Sequence, residues 1–189
     1  MKNSIFDFEH FLVYLAGPVE FLAKEDALAW RYKVTEMLSS IGIKENHIIN
    51  PCKKHLNNFI GDDLDDAHIQ IKNLKEEGNF KEIERRAKHT IRIDLRYVDK
   101  SDLIYAYINP NIYTFGTADE IGVARTARKP VIAVVEGGVK NSPLWLIGRI
   151  GYQNIFPSHE EAIKHISDII HGKIPFDVKS WLFFNWDQK

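Results

Sequence analysis

The chain has 189 residues, of which 44% are hydrophobic and 27% are charged, a balance typical of one globular domain with a substantial core. Lysine and arginine number 25 against 26 aspartates and glutamates, a formal net charge of −1, so the chain lacks the basic excess of a protein that binds nucleic-acid polymers. Its single cysteine, Cys52, excludes an intrachain disulfide and a thiolate-rich zinc site.

Predicted strands alternate with predicted helices along the chain. The continuous apolar run Phe11–Ala16 predicts a strand buried on both faces, which a turn at Gly17–Pro18 ends. The other predicted strands are Ile48–Ile49, Leu103–Ile108, Pro130–Val135 and Asn154–Phe156, and the predicted helices are Glu20–Ser40, Thr117–Arg128, Ser142–Ile150 and one that starts after Ser158 and closes at Gly172. This alternation predicts an α/β fold with a doubly wound parallel sheet of about five strands.

Two segments lie outside this alternation. Residues of about 55–90 carry dense charge of both signs, which predicts a charged helical insertion of one or two surface helices, broken near Gly78–Asn79. The tail, 174–189, is rich in aromatic residues and is expected to dock on the body or on a second subunit. We assign 1–189 to a single domain. The first apolar run is too short to span a bilayer and lacks a signal-peptide layout, so we expect a cytoplasmic protein without a membrane partner.

Several familiar catalytic motifs are missing from the sequence. It contains no G-x-x-x-x-G-K-[ST] loop, no G-x-G-x-x-G after the first predicted strand, no G-x-S-x-G elbow and no H-E-x-x-H pair. We therefore predict neither a cofactor nor a metal site.

Three segments place chemically useful side chains where a ligand would bind, at the carboxyl ends of parallel strands. They contain Tyr14, Asp94 and Glu120. Each residue also has a purely structural interpretation. Tyr14 is typical of a core aromatic in a strand, Asp94 of a solvated carboxylate, and Glu120 of the acidic half of a capping box that Thr117 begins.

Taken together, the segments resemble the nucleoside 2-deoxyribosyltransferase family. The resemblance covers roughly residues 11 to 135 apart from the charged segment, and it rests on four motifs in order: Y-L-A-G-P, D-L-x-x-V-D-x-S-D-L-I, G-T-A-D-E-I-G-V-A and K-P-V-I-A-V. Members of that family have a flavodoxin-like fold, need no cofactor and usually form homo-oligomers. The resemblance therefore implies an enzyme that cleaves the N-glycosidic bond of a nucleoside and transfers the sugar to another free base.

The resemblance also implies roles for individual residues. Glu120 matches the carboxylate nucleophile, Asp94 the acid that assists proton transfer at the base, and Tyr14 the tyrosine that orients the nucleophile. Such a nucleophile is chemically reasonable, because glycosidic cleavage passes through an oxocarbenium-like state that negative charge stabilises. The positive end of the helix dipole is expected to keep Glu120 ionised.

Substrate-binding residues are less completely matched. The resemblance assigns this role to Gly17, Pro18, Asn111, Thr114, Gly116, Thr117 and Ser142. The loop after the third predicted strand lacks the family's acidic residue for the sugar hydroxyls, which Asn111, Tyr113 or Thr114 would replace. Ser142, expected at the sugar 5′ position from a neighbouring subunit, looks more like the related nucleoside 5′-monophosphate N-glycosidases, which hydrolyse.

Other functions therefore stay open at this point. A nucleoside 5′-monophosphate N-glycosidase would use the same carboxylates but pass the sugar to water. A nucleotide-binding regulatory module would share the fold and show no turnover. An interaction protein would use the charged segment and the aromatic tail for assembly.

Overall fold

The chain folds into a five-stranded parallel sheet with helices on both faces. This description comes from a computed structural model, which describes residues 10–20, 22–53 and 64–174. The strands are β1 (Val13–Ala16), β2 (Ile48–Ile49), β3 (Leu103–Ile108), β4 (Val131–Val135) and β5 (Ile155–Phe156). The helices are α1 (Lys24–Ser40), α2 (Leu64–Glu76), α3 (Phe80–Lys100), α4 (Phe115–Thr126), α5 (Leu144–Ile150) and α6 (His159–Ile170).

The strand order is β2-β1-β3-β4-β5, and all neighbouring strands pair in parallel. This is the flavodoxin-like order of a doubly wound sheet, so the predicted fold class is confirmed. Within the described ranges, no helix is both long and apolar enough to cross a membrane.

Side chains of the central strands alternate between two hydrophobic cores, one on each face of the sheet. In β1, Val13 and Leu15 join the core formed with α1 and α6, whereas Tyr14 and Ala16 join the core formed with α3, α4 and α5. All four side chains are completely buried, which explains why the strand reads as a continuous apolar run. Tyr14 therefore faces the helix layer that contains α3 and α4.

The ends of the elements follow local hydrogen bonds. β1 starts later than predicted, at Val13. The backbone N–H of Leu12 donates to the carboxylate of Asp102 (2.8 Å), whereas the carbonyl oxygen of Leu12 accepts from the backbone N–H of Leu103 (3.1 Å). α6 begins as predicted after Ser158, whose hydroxyl accepts a hydrogen bond from the backbone N–H of Glu161 (3.2 Å). Such a cap satisfies one of the free N–H groups in the first helical turn.

The charged segment forms two helices, α2 and α3, which are separated near Gly78–Asn79 as predicted. Gly78 adopts a positive φ of 69°, and the side chain of Asn79 caps α3 at the backbone N–H of Glu82. The predicted end of the segment near residue 90 is wrong. α3 continues to Lys100 and buries Val98, so this helix is the crossover that leads into β3 rather than a separate insertion.

Parts of the predicted organisation fall outside the described ranges. They are the start of the charged segment, 55–63, and all of the aromatic tail except its first residue, Ile174.

The carboxyl ends of the parallel strands lie at one edge of the sheet, which we call the carboxyl edge. The turn Gly17–Pro18 follows β1 there, residues 109–114 follow β3, and residues 136–143 follow β4.

Gly17 is a glycine because the turn after β1 packs directly on α1. A Cβ atom on Gly17 would lie 2.4 Å from Cζ2 of Trp30 and 3.2 Å from the carbonyl oxygen of Tyr107. Both neighbours are themselves held in place, because Trp30 belongs to the core and the Tyr107 atom is backbone. The close approach therefore fixes the position of the turn beside the carboxyl edge.

We expect Gly17→Ala to lower the free energy of unfolding by about 1–3 kcal/mol, the usual cost of an overpacked site. Urea denaturation measures the change. Gly122→Ala is the matched control, because an added Cβ in that helical position of α4 meets nothing within 4 Å and the better helix propensity of alanine should stabilise by up to about 1 kcal/mol. Equal stability of Gly17→Ala and wild type would contradict the packing described here.

Candidate active site

A hydrogen bond connects β1 to α4 at the centre of the candidate site. The hydroxyl of Tyr14 donates to Oε1 of Glu120 over 2.6 Å, although 106 positions separate the two residues in the sequence. Tyr14 is completely buried and Glu120 is half-buried. The strand therefore holds the phenol in a fixed place, and the phenol selects one position of the carboxyl group.

Asp94 completes a cluster with these two side chains. It lies on α3 and not in a loop at a strand end as the sequence suggested. Its carboxyl group is half-buried, and Oδ1 has no hydrogen-bond partner within the described part of the chain. The charge of Asp94 acts on both Tyr14 and Glu120. The structure thus brings together the three residues that the sequence singled out, from β1, α3 and α4.

The capping-box interpretation of Glu120 is wrong. It required the helix to start at Thr117, but α4 starts at Phe115, so Thr117 is a buried residue of the first turn and Glu120 lies beyond that turn. The carboxyl group of Glu120 contacts Tyr14 and is therefore not the reciprocal half of a cap. The helix dipole acts mainly on the first turn, which weakens its effect on Glu120.

Burial decides the protonation of both acids. It raises the pKa of Glu120 to about 8, although the Tyr14 hydrogen bond and the charge of Arg31 oppose the rise. Burial also raises the pKa of Asp94 to about 7, again against the charge of Arg31. The sequence-based expectation that the helix dipole keeps Glu120 ionised is therefore outweighed by desolvation. Because the two acids interact, their protons leave in steps that belong to the pair.

Arg31 is a charged residue of this region that has no part in the sequence-based predictions. It is completely buried in α1 and donates to the carbonyl oxygens of Gly17 (2.8 Å), Pro18 (3.2 Å) and Ala27 (2.6 Å). The sequence contained a signal for it, because Ala27, Arg31 and Val34 follow the three- and four-residue spacing of the buried face of α1. A charged residue on that face needs polar partners in the interior.

The candidate substrate-binding residues occupy the carboxyl edge. Gly17 and Pro18 follow β1, and Asn111, Thr114 and Gly116 extend from the loop after β3 into the start of α4. Asn111 is exposed, and its backbone N–H donates to Oδ1 of Asn109 (2.9 Å) in the same loop. Gly116 is exposed and has open space around it.

The hydrogen bond of the Ser142 side chain is local. Ser142 follows β4, and its hydroxyl donates to the carbonyl oxygen of Gly138 (3.0 Å) within its own turn. No hydrogen bond of the described residues connects Ser142 to Tyr14, Asp94 or Glu120.

The described ranges contain no cluster of three or more His, Cys, Asp or Glu side chains that could hold a metal ion.

The raised pKa of Glu120 has a consequence for stability. The folded protein keeps this proton up to a pH of about 8, whereas the unfolded chain loses it near pH ~4.3. The unfolding free energy therefore falls as the pH rises through this window. The raised pKa of Asp94 contributes a fall of the same sign, so we expect Glu120→Gln to reduce the total fall and not to abolish it. Between about pH 5 and about pH 9, the stability of the variant relative to wild type should rise by up to roughly 4 kcal/mol.

Urea denaturation at the two pH values checks this expectation. Glu36→Gln, at an exposed carboxylate of α1, is the matched control and should follow wild type at both. If Glu120→Gln also follows wild type at both, the carboxyl group of Glu120 does not titrate in a buried environment.

Comparisons with known proteins agree with this architecture. The family model of nucleoside 2-deoxyribosyltransferases matches residues 13–143, which include Tyr14, Asp94 and Glu120. No curated protein sequence matches the chain. The solved structure of a 2-deoxyribosyltransferase from the psychrotolerant bacterium Bacillus psychrosaccharolyticus is similar in fold, with a TM-score of 0.50 at 20% identity over 80% of this chain and 89% of that chain. Because the family model covers more than half of its length, the chain belongs to the nucleoside 2-deoxyribosyltransferase family.

Proposed function

We propose that this protein transfers the 2-deoxyribosyl group of a nucleoside to another free nucleobase through a covalent intermediate on Glu120. The observation that carries the proposal is the contact between Tyr14 and Glu120 beside Asp94. One carboxylate can attack a sugar carbon while a second acid serves the leaving base. Membership of a family of nucleoside-processing enzymes supports this choice among reactions that two acids can catalyse.

In the first step, a carboxylate oxygen of Glu120 attacks C1′ of the sugar as the bond from C1′ to the base nitrogen breaks. Positive charge develops at the sugar in an oxocarbenium-like transition state. The carboxylate of Glu120 stabilises this charge and then forms the ester bond to C1′. The hydrogen bond from Tyr14 holds one oxygen of Glu120, so the rotamer of the nucleophile is set before the substrate arrives. Such preorganisation reduces the entropic part of the barrier.

Asp94 handles the proton of the base. The departing nitrogen takes a proton from the Asp94 carboxyl group as the glycosidic bond breaks, because the base is a poor leaving group as an anion. In the second step the incoming base attacks C1′, the ester bond to Glu120 breaks, and the proton of the incoming nitrogen returns to Asp94. Two displacements at C1′ retain its configuration, and the enzyme ends in its starting state.

The two steps need one proton on the pair of acids. Glu120 must be ionised and Asp94 protonated, which is one of the two arrangements of the singly protonated pair. With pKa values of about 7 for Asp94 and about 8 for Glu120, the singly protonated pair is most abundant between these values, and its proton lies more often on Glu120 than on Asp94. The arrangement with the proton on Asp94 is the one from which the reaction starts.

We propose a nucleoside rather than a 5′-monophosphate as the sugar donor. The side chain of Arg31 is completely buried and donates to backbone carbonyl oxygens, so it has no exposed donor for a phosphate group. The turn after β1 presents the exposed carboxylate of Glu20, which pairs with Lys75 (3.6 Å). A carboxylate at this turn disfavours a phosphate group, and Asn111, Thr114, Ser142 and the backbone at Gly17, Pro18, Gly116 and Thr117 are the neutral groups that we propose for the sugar.

We expect exchange of the base when a deoxynucleoside is mixed with a different free base, without added metal. Glu120→Ala should lower the rate by on the order of 10³-fold or more, because the variant lacks the carboxylate that forms the ester, while nucleoside binding measured by calorimetry persists. Chromatography of the bases and nucleosides measures the rate. Glu160→Gln, an exposed carboxylate of α6 that pairs with Lys33, is the control and should exchange at the wild-type rate.

The products distinguish the alternatives. Base release without exchange would identify a hydrolase, and turnover of 5′-monophosphates alone would identify an N-glycosidase of nucleotides. Binding with no turnover of any nucleoside or monophosphate would contradict the enzymatic proposal and favour a binding module.

We expect a bell-shaped dependence of kcat/KM on pH, with limbs near the pKa values of about 7 and about 8 that belong to the two acids. The rate rises as the pair loses its first proton and falls as it loses the second. Asp94→Asn should lower kcat by about 10²–10⁴-fold and remove the alkaline limb, since an amide has no proton to lose there. Initial rates measured over the pH range provide the test, and an unchanged alkaline limb in Asp94→Asn would show that another group carries the proton.

A further inference from the structure

Arg31 has an unusual environment for an arginine. Its side chain is completely buried, and its terminal nitrogens donate to three backbone carbonyl oxygens rather than to a carboxylate. The guanidinium carbon also lies 4.4 Å from the ring centroid of Trp30. Among the described residues no ion pair involves Arg31, so its positive charge is not neutralised by a direct partner.

The carbonyl oxygens that Arg31 binds belong to the turn beside the candidate site. One terminal nitrogen reaches Gly17 (2.8 Å), and the other reaches Pro18 (3.2 Å) and Ala27 of its own helix (2.6 Å). Only a planar guanidinium presents several donors in one fixed plane. Together with the contact of Gly17 on Trp30, these bonds connect α1 to the turn at two neighbouring points. The turn directly follows the strand that carries Tyr14.

The charge of Arg31 acts on ionisable groups from four separate elements. They are Tyr14 of β1, Cys52 after β2, Asp94 of α3 and Glu120 of α4. Asp119, next to Glu120 in the sequence, carries a negative charge that raises the pKa of Glu120. Two acids that share a partly buried region repel each other when both ionise, and a buried cation nearby reduces the cost of ionising the first one.

We propose that Arg31 is a positioning residue of this site: it fixes the turn after β1 and supplies the positive charge that allows one of the two acids to ionise. It acts through Glu120 and Asp94, and its burial keeps it from the substrate. This inference rests on the proposed function, because it assigns a role in the reaction of those two acids. It also predicts a property of the substrate-free protein, which can be tested without turnover.

Two substitutions of similar size separate the charge from the hydrogen bonds. Arg31→Gln keeps amide donors for the carbonyl oxygens but has no charge, whereas Arg31→Lys keeps the charge but loses the planar set of donors. Removal of the charge should raise the pKa of both Asp94 and Glu120, because Arg31 lowers both. Loss of the planar donors should instead displace the turn.

The test measures kcat and KM for base exchange as functions of pH in wild type, Arg31→Gln and Arg31→Lys. We expect both limbs of the Arg31→Gln profile to move to higher pH by about one unit, with kcat lowered by about 10²-fold. The limbs of Arg31→Lys should stay in place while kcat falls by about tenfold. Lys33→Gln is the matched control, since Lys33 is an exposed cation of the same helix that pairs with Glu160 (2.7 Å).

A second measurement keeps the inference independent of turnover. Carbon-13 NMR of the carboxyl groups, assigned with Asp94→Asn and Glu120→Gln, follows their titration in the substrate-free protein. We expect the midpoints of both acids to rise in Arg31→Gln and not in Lys33→Gln. Thermal unfolding verifies that each variant is folded, and Arg31→Lys provides the kinetic test if Arg31→Gln does not fold.

The outcomes are distinct. Absence of exchange in wild type would overturn the proposed function, while the titration would still decide whether Arg31 controls the two acids. Normal exchange in wild type with unshifted limbs and midpoints in folded Arg31→Gln would overturn the inference and leave the proposed function in place. Wild-type kcat in Arg31→Lys would show that the hydrogen bonds to the turn have no part in positioning the site.

Discussion

The hydrogen bond between Tyr14 and Glu120 is the interaction on which the candidate site depends. It connects the first strand to the helix after the third strand. The parallel pairing of β1 with β3, the strand that precedes α4, brings these two elements together. Because the tyrosine is buried in the core, the position of the carboxyl group follows from the packing of the whole sheet. The fold thus sets the geometry of the site before any ligand binds.

This arrangement has an energetic cost that the rest of the molecule offsets. Two acids and one guanidinium lie in or next to a hydrophobic core, where burial favours the neutral form of each acid. Arg31 lowers the pKa of both acids, and the hydrogen bond from Tyr14 lowers the pKa of Glu120. Both values therefore stay near neutrality, in the range where one proton can be shared and moved. Sites with such perturbed pairs are where acid and base catalysis is expected.

The sequence predicted the parts of this structure that depend on local pattern. Continuous apolar runs located β1, β3 and β4, and the spacing after Ser158 located α6. Where a local sequence pattern allowed two structural interpretations, tertiary contacts determined which one the chain adopts. The Thr117 spacing suggested a cap, but the helix starts earlier and Glu120 turns to Tyr14. Asp94 was expected in a connection, yet α3 extends past it because Val98 is buried against the sheet. Arg31 donates to the carbonyl oxygen of Gly17 in the turn after β1, a contact that the helical spacing of α1 does not predict.

The central claim is that Glu120 forms a covalent bond to the sugar. The most direct measurement is peptide mapping by mass spectrometry after incubation with a nucleoside that carries an electron-withdrawing fluorine at the sugar 2′ carbon, which destabilises the oxocarbenium-like state and slows release of the intermediate. The account predicts a fluorosugar adduct on the peptide of α4, attached at Glu120. An adduct on a different residue, or steady exchange of the same nucleoside without any adduct, would contradict it.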